Sequence, residues 1–166
     1  TRSGGGFIET PNGPDSYATA VRGDGGLYST AADYARFIAM LLAGGRAPSG
    51  AQLLEPATVA LMGQDHLGAL RVELQEPANA VRSRPFPLGA GVDGFGLGFQ
   101  VTARAEEQRR SAGSLSWAGI QNTFFWVDPA RGVGGVLLMQ YLPFFDALAI
   151  ETLQVFEETV YRQLEP

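Results

Sequence analysis

The 166-residue sequence has no cysteine, no lysine and a single histidine. Without cysteine there is no disulfide, no thiolate metal site and no Cys nucleophile, and the redox compartment stays open. One histidine, His66, excludes a histidine-rich metal centre within one chain, and no metal or cofactor is expected. All twelve cations are arginines, scattered among 17 acids, for a net charge of −5. Nucleic-acid binding is therefore not expected, because phosphate contacts need clustered Lys or Arg. No run of about 18 apolar residues is available to span a membrane, and no secretory leader pattern opens the chain.

What is present suits a globular α+β protein. Forty-five per cent of residues are hydrophobic, and the length fits a single domain over 1–166 with a sizeable core. Gly113 to Gln140 organises the rest. Two β-branched and aromatic runs, Thr123 to Val127 and Val133 to Gln140, flank Asp128-Pro129-Ala130-Arg131-Gly132, which predicts an antiparallel hairpin. Pro129 pre-sets φ early in the turn, and Gly132 can supply the positive φ of a bulged loop. Ser114 to Gly119 then reads as a third strand or strand edge, with Gly119 allowing close approach.

Upstream, Phe95, Leu97, Phe99 and Val101 alternate with glycines and Gln100, which predicts one strand over Gly94 to Val101. The sheet is expected to use about 94–102, 113–119, 122–128 and 132–141. A helix from about Phe145 or Asp146 to Gln163 should cover one face through Leu148, Ala149, Thr152, Val155, Phe156, Thr159 and Val160, leaving Glu151, Gln154, Glu157, Glu158 and Arg162 outside. Thr30 with Asp33 approximates a capping box for a helix over Thr30 to Ala43, whose stripe is Ala32, Ala35, Phe37, Ile38, Leu41 and Leu42. Gly44-Gly45 ends it. Pro56 opens a second helix to Met62, with Val59, Ala60 and Met62 inward. These two should form a separate helical region. Residues 1–26 read as loop with a short extended piece near Phe7 to Glu9, and residues 68–92 as a long functional or mobile loop.

Several motifs are weaker than they look. Gly89-Ala90-Gly91-Val92-Asp93-Gly94 matches the dinucleotide glycine pattern, but a strand follows it where a helix should. Gly23-Asp24-Gly25-Gly26 could cradle a phosphate, yet no Lys follows, and a tight turn into a helix is the simpler reading. Asp65-His66 invites a triad with Ser114 or Ser116, but adjacent residues rarely aim at one another in the required way, so His66 is read as structural. Glu106-Glu107-Gln108-Arg109-Arg110 mixes signs and reads as a solvated hairpin tip.

The order of these elements resembles the C-terminal half of the serine β-lactamase, penicillin-binding-protein and carboxylesterase superfamily, most closely its class C and esterase-like branch. The resemblance is carried by Gly25-Gly26-Leu27-Tyr28-Ser29-Thr30-Ala31-Ala32-Asp33-Tyr34, by Met62 to Gly68, by the hairpin and by the closing helix. It implies that Trp117-Ala118-Gly119 stands where the superfamily has Lys-Thr-Gly or Trp-Gly-Gly. Ser116, Trp117, Ala118 and Gly119 would then contact substrate, and the backbone N–H of Ile120 would help form the oxyanion hole. Since Trp117 and Ala118 offer neither cation nor hydroxyl, a neutral ester or amide is the expected substrate.

The superfamily's Ser-x-x-Lys cannot exist in a sequence without Lys, and Tyr-x-Asn is missing too, because the tyrosines precede Thr19, Thr30, Arg36, Pro143 and Gln163 by two places. The expectation is a C-terminal segment whose nucleophile lies in an N-terminal segment outside this chain, inactive alone. Apolar surface left bare should promote capture of that segment or self-association. The alternative is a non-catalytic α+β module that binds a protein or small ligand through the Trp117 edge and the 68–92 loop. The resemblance places the parent in a bacterium, in cytoplasm or periplasm.

Overall fold

A computed structural model describes residues 1–9 and 27–164. The Gly23 to Gly26 run and most of the loop expected over 1–26 lie outside the described residues. β1 (Arg2–Ser3) and β2 (Gly6–Phe7) form a small hairpin, so the extended piece near Phe7 is one arm of a pair. The helices α1 (Ala31–Leu42) and α2 (Pro56–Met62) follow. Then come β3 (Gly94–Phe95), β4 (Gln100–Val101), β5 (Leu115–Gly119), β6 (Thr123–Asp128), β7 (Val133–Leu137) and the closing α3 (Ala147–Arg162). The last five strands make one antiparallel sheet in sequence order. Among the described residues no helix is long and apolar enough to cross a membrane.

Local chemistry explains most of the boundaries. The Thr30 side chain accepts a hydrogen bond from Asp33 N–H at 3.1 Å, satisfying an orphan donor at the start of α1. Gly44 and Gly45 take φ of 61° and 92° to end it. The β6–β7 turn follows expectation. Asp128 Oδ1 accepts from Arg131 N–H at 3.1 Å, and Gly132 has φ 64°.

The sheet is covered on both faces, because its strands alternate. Leu115, Phe125 and Val127 pack with Ile38, Met40 and Leu41 of α1, and Val59 and Met62 of α2 join that cluster. Phe124 and Trp126 pack with Ala149, Leu153 and Tyr161 of α3. α1 therefore lies against the sheet opposite α3, not in a separate region. Ala32, Ala35 and Ala60 are exposed, since α1 turns Tyr34, Phe37, Ile38 and Leu41 to the core and α2 turns Val59 and Met62.

Two expectations fail for tertiary reasons. First, α3 is rotated. Its buried residues are Ala149, Leu153, Glu157 and Tyr161, while Leu148, Thr152, Val155 and Thr159 face outward. Ala149, Leu153 and Tyr161 pack into the core on this face, and Glu157 is tolerated there because Arg110 folds back from the expected solvated tip and grips it with two hydrogen bonds, Nε to Oε2 at 3.0 Å and Nη2 to Oε1. A carboxylate thus occupies a core position. Second, Gly94 to Val101 is not one strand but a hairpin, with Gly94 opposite Val101 and Phe95 opposite Gln100. Gly98 has φ 95°, and Gly96 sits so close to α2 that an added Cβ would lie 2.2 Å from the Met62 carbonyl oxygen.

Asp128 joins β6 to α3 at full burial. It accepts from Ser111 N–H at 2.9 Å and from the Tyr161 hydroxyl at 2.8 Å, in addition to Arg131 N–H. Burial pushes its carboxyl pKa up, but the donated hydrogen bonds outweigh burial and hold it below the ordinary carboxylate range. Burial first, then the bond and the charge of Asp128, push the Tyr161 phenol well above its ordinary value. The signs are opposite. The Asp128 contribution to stability is present above about pH 4 and is lost as pH falls through its lower folded value. That of Tyr161 is present below about pH 10 and is lost as pH rises through its raised value. In urea unfolding across pH, Asp128→Asn should flatten the acid limb. Tyr161→Phe should cost roughly 1.5 to 3 kcal/mol at neutral pH and flatten the alkaline limb. Curves parallel to the unsubstituted chain would show that the pair does not set these limits.

Candidate active-site wall

The site is built on half of one strand. β4 pairs with only the start of β5, Val101 opposite Leu115 and Gln100 opposite Ser116. Two residues further, Gly98 would oppose Ala118, but its positive φ turns the chain away. Trp117, Ala118 and Gly119 keep β6 on one side, opposite Phe125, Phe124 and Thr123, and have no ladder partner on the other among the described residues. The broken strand at Gly98 is what opens this edge.

The polar backbone at the opening follows from strand alternation. Thr102 N–H donates to the Ser114 carbonyl at 2.9 Å, so Ser114 directs its peptide groups toward β4. By the two-residue period Ser116, Ala118 and Ile120 direct theirs the same way. Ser116 spends its groups on the Gln100 pair; Ala118 and Ile120 make no backbone hydrogen bond on that side among the described residues. Ile120 is 54% exposed.

The five residues singled out in the sequence are contiguous, but they do not face one way. Trp117 packs toward the α1 cluster, whereas Ala118 packs toward the α3 cluster. Ser116 shares Ala118's face and is only 8% exposed. It lies beside a cavity of about 50 Å³, bounded also by Asp93, Gln100, Arg109 and Leu153, which has room for a water or two. Gly119 lies close to the Thr123 side chain. A Cβ there would stand 2.3 Å from Thr123 Oγ1.

Aromatic residues that sequence reasoning did not single out complete the wall. The Trp117 ring is met edge-on by Phe86 at 5.2 Å and by Phe95 at 5.1 Å between centroids. Phe86 also meets Phe144 and Phe145, each at 5.1 Å. The one signal available was an aromatic between two prolines, Pro85-Phe86-Pro87, inside the long loop. That loop is pinned. Gln75 bridges to Phe86, Ser83 bridges to Phe144, and Gln100 Nε2 donates to the Leu88 carbonyl at 2.6 Å and to Asp93 Oδ2 at 2.7 Å. The glycine pattern at 89–94 serves this packing, since a Cβ at Gly89 would lie 2.0 Å from Asp93 Oδ2.

No hydrogen-bonded serine and base come together among the described residues. Ser114 is fully buried with its hydroxyl unpartnered, and His66 Nε2 hydrogen-bonds the Leu61 carbonyl at 2.9 Å. The partner of His66 is thus a backbone carbonyl and not a serine hydroxyl. Asp65 beside it accepts from Leu67 and Phe95 N–H at 3.0 and 3.2 Å, and these bonds hold its pKa below the ordinary range. A Cβ at Gly94 would lie 2.3 Å from Asp65 Cγ, so the glycine face does admit a close neighbour.

Comparisons with known proteins agree with this architecture. The chain is 33% identical over 135 residues to the uncharacterized protein MT1414 of Mycobacterium tuberculosis, covering 78% of this chain and 31% of that protein. Simvastatin synthase (LovD) from Aspergillus terreus, unliganded, is similar in structure with a TM-score of 0.57 and 25% identity, over 76% of this chain and 32% of that one. A penicillin-binding protein homolog from Caulobacter crescentus shares the fold, with a TM-score of 0.52 and 20% identity over 80% of this chain and 31% of its own. The chain thus spans about a third of the length of each of these relatives. The family model described as Beta-lactamase matches residues 1–157. That match, over a meander sheet with a C-terminal helix on one face, makes the chain a member of the beta-lactamase family.

Proposed function

We propose that the chain is the C-terminal segment of a beta-lactamase-related serine hydrolase, of esterase, β-lactamase or D-alanyl peptidase type, with nucleophile and base supplied by an N-terminal segment outside it. Its share is the oxyanion-side strand and a substrate wall. The observation that carries this reading is the open edge of β5, where the N–H groups of Ala118 and Ile120 have no backbone partner among the described residues and lie beside the half-buried Trp117. A backbone N–H so placed stabilises a developing oxyanion without any reactive side chain. Trp117, Phe86 and Phe95 are uncharged, which suits a small neutral ester or amide. Exposed Leu148 and Val155 on the outer side of α3 suit cover by the remainder of the protein, or self-association in its absence.

A fluorophosphonate probe applied to the full-length protein tests this. Stoichiometric labelling should map to a serine outside the 166 residues. Labelling of Ser114 or Ser116 would overturn it by placing the nucleophile within this chain, and no labelling under conditions where ester hydrolysis is also undetectable would favour the second reading, a binding module using the same edge. That reading draws on the packing of the 68–92 loop against Trp117 through Phe86.

A further inference from the structure

We infer that Asn122 is a positioning residue for acyl transfer at the β5 edge, a role that rests on the functional reading above. It is 0% exposed, has φ 60°, and uses its whole amide. Nδ2 donates to the carbonyls of Tyr141 and Pro143 at 2.9 and 2.8 Å, and Oδ1 accepts from Phe145 N–H at 2.7 Å. Its own N–H closes the turn onto the Gly119 carbonyl at 3.0 Å.

These four bonds connect two halves of the site. On one side Asn122 closes the tight turn 119–122 that carries the Ile120 N–H. On the other it holds the segment 141–145, which in turn holds the long loop, because Phe144 N–H donates to the Arg82 carbonyl at 2.8 Å and Arg84 N–H to the Phe144 carbonyl at 2.9 Å. Phe86, two residues beyond Arg84, brings its ring onto Trp117. One buried amide thus sets both the oxyanion donor and the aromatic wall. A clamp for the turn alone would need one partner; three partners on one segment fix its orientation as well.

Asn122→Gly separates the clamp from the backbone, because glycine adopts positive φ freely and only the three side-chain bonds are lost. In the full-length protein this variant should lower kcat on a p-nitrophenyl ester by on the order of tenfold to a hundredfold, with KM within about twofold, since misplacing a donor weakens transition-state binding selectively. Affinity for a boronic acid that mimics the tetrahedral intermediate should fall by a similar factor. Tyr161→Phe, remote from the edge, controls for lost stability and should keep kcat within about twofold. An Asn122→Gly protein that retains kcat and boronate affinity, or loses no more than the control, overturns the positioning role alone. A parent protein that is never acylated overturns the functional reading and this role together.

Discussion

Incubated alone, the 166-residue chain is expected to hydrolyse neither p-nitrophenyl esters nor chromogenic cephalosporins above background, and to resist phosphonate labelling. A serine hydroxyl near its free pKa is a poor nucleophile, and a positioned base is typically worth about 10² to 10⁴ in rate. No lysine is present, His66 is hydrogen-bonded to Leu61, and Ser114 and Ser116 are buried in the sheet. Labelling of the isolated chain at either serine would refute the incomplete-site argument. In the full-length protein Gly119→Val should then be severe. Its Cβ meets Thr123 Oγ1, so either that side chain or the 119–122 turn must move, and the Ile120 N–H moves with the turn. A kcat loss of about 10² to 10³ is expected, with the fold retained in circular dichroism. An unchanged kcat would remove Ile120 from the oxyanion site.

Arg110→Ala should be strongly destabilising. Glu157 is 1% exposed, and removing its guanidinium partner leaves a buried carboxylate uncompensated, at a cost of roughly 3 to 5 kcal/mol. For a domain of this size that lowers Tm by roughly 6 to 20 °C. The paired replacement Arg110→Met with Glu157→Leu should recover most of the loss, because breaking one side of a buried pair is worse than replacing both with apolar groups. Calorimetry of these two variants beside the unsubstituted chain decides it. If the double variant is no better than Arg110→Ala, the damage comes from lost packing of Arg110 over Trp126, to whose ring centroid it stands 5.9 Å.

What the sequence made legible was the local chemistry. Asp128, Pro129 and Gly132 specify their turn within five residues, and Thr30 and Pro56 mark helix starts through their own bonding limits. α3 could be placed but not oriented, since the inward Glu157 has its partner in an arginine 47 residues earlier in the chain. The Gly94 to Val101 pattern suggested one strand because alternation does not register that Gly98 takes positive φ or that Gly96 must pass the Met62 carbonyl. The triplet at Trp117 was found through family resemblance. Its opening to one side, and the burial of Ser116, depend on where β4 stops. The packing of Phe86 on Trp117 and the burial of Asn122 were not legible for a related reason. Both act through segments far away in sequence, and neither belongs to a periodic pattern.

The turn at Gly98 also bears on colloidal behaviour. Unpaired strand edges invite other chains to add a strand, and proteins blunt them by keeping them short. The opening left on β5 is three residues, shorter than the five or six of an ordinary strand, and Phe86 stands against its tryptophan. An edge of that length offers a carbonyl group two or so amide donors but gives an incoming strand too few bonds to stay registered. By ending β4 where it does, Gly98 keeps the open stretch of β5 too short to support edge-to-edge polymerisation.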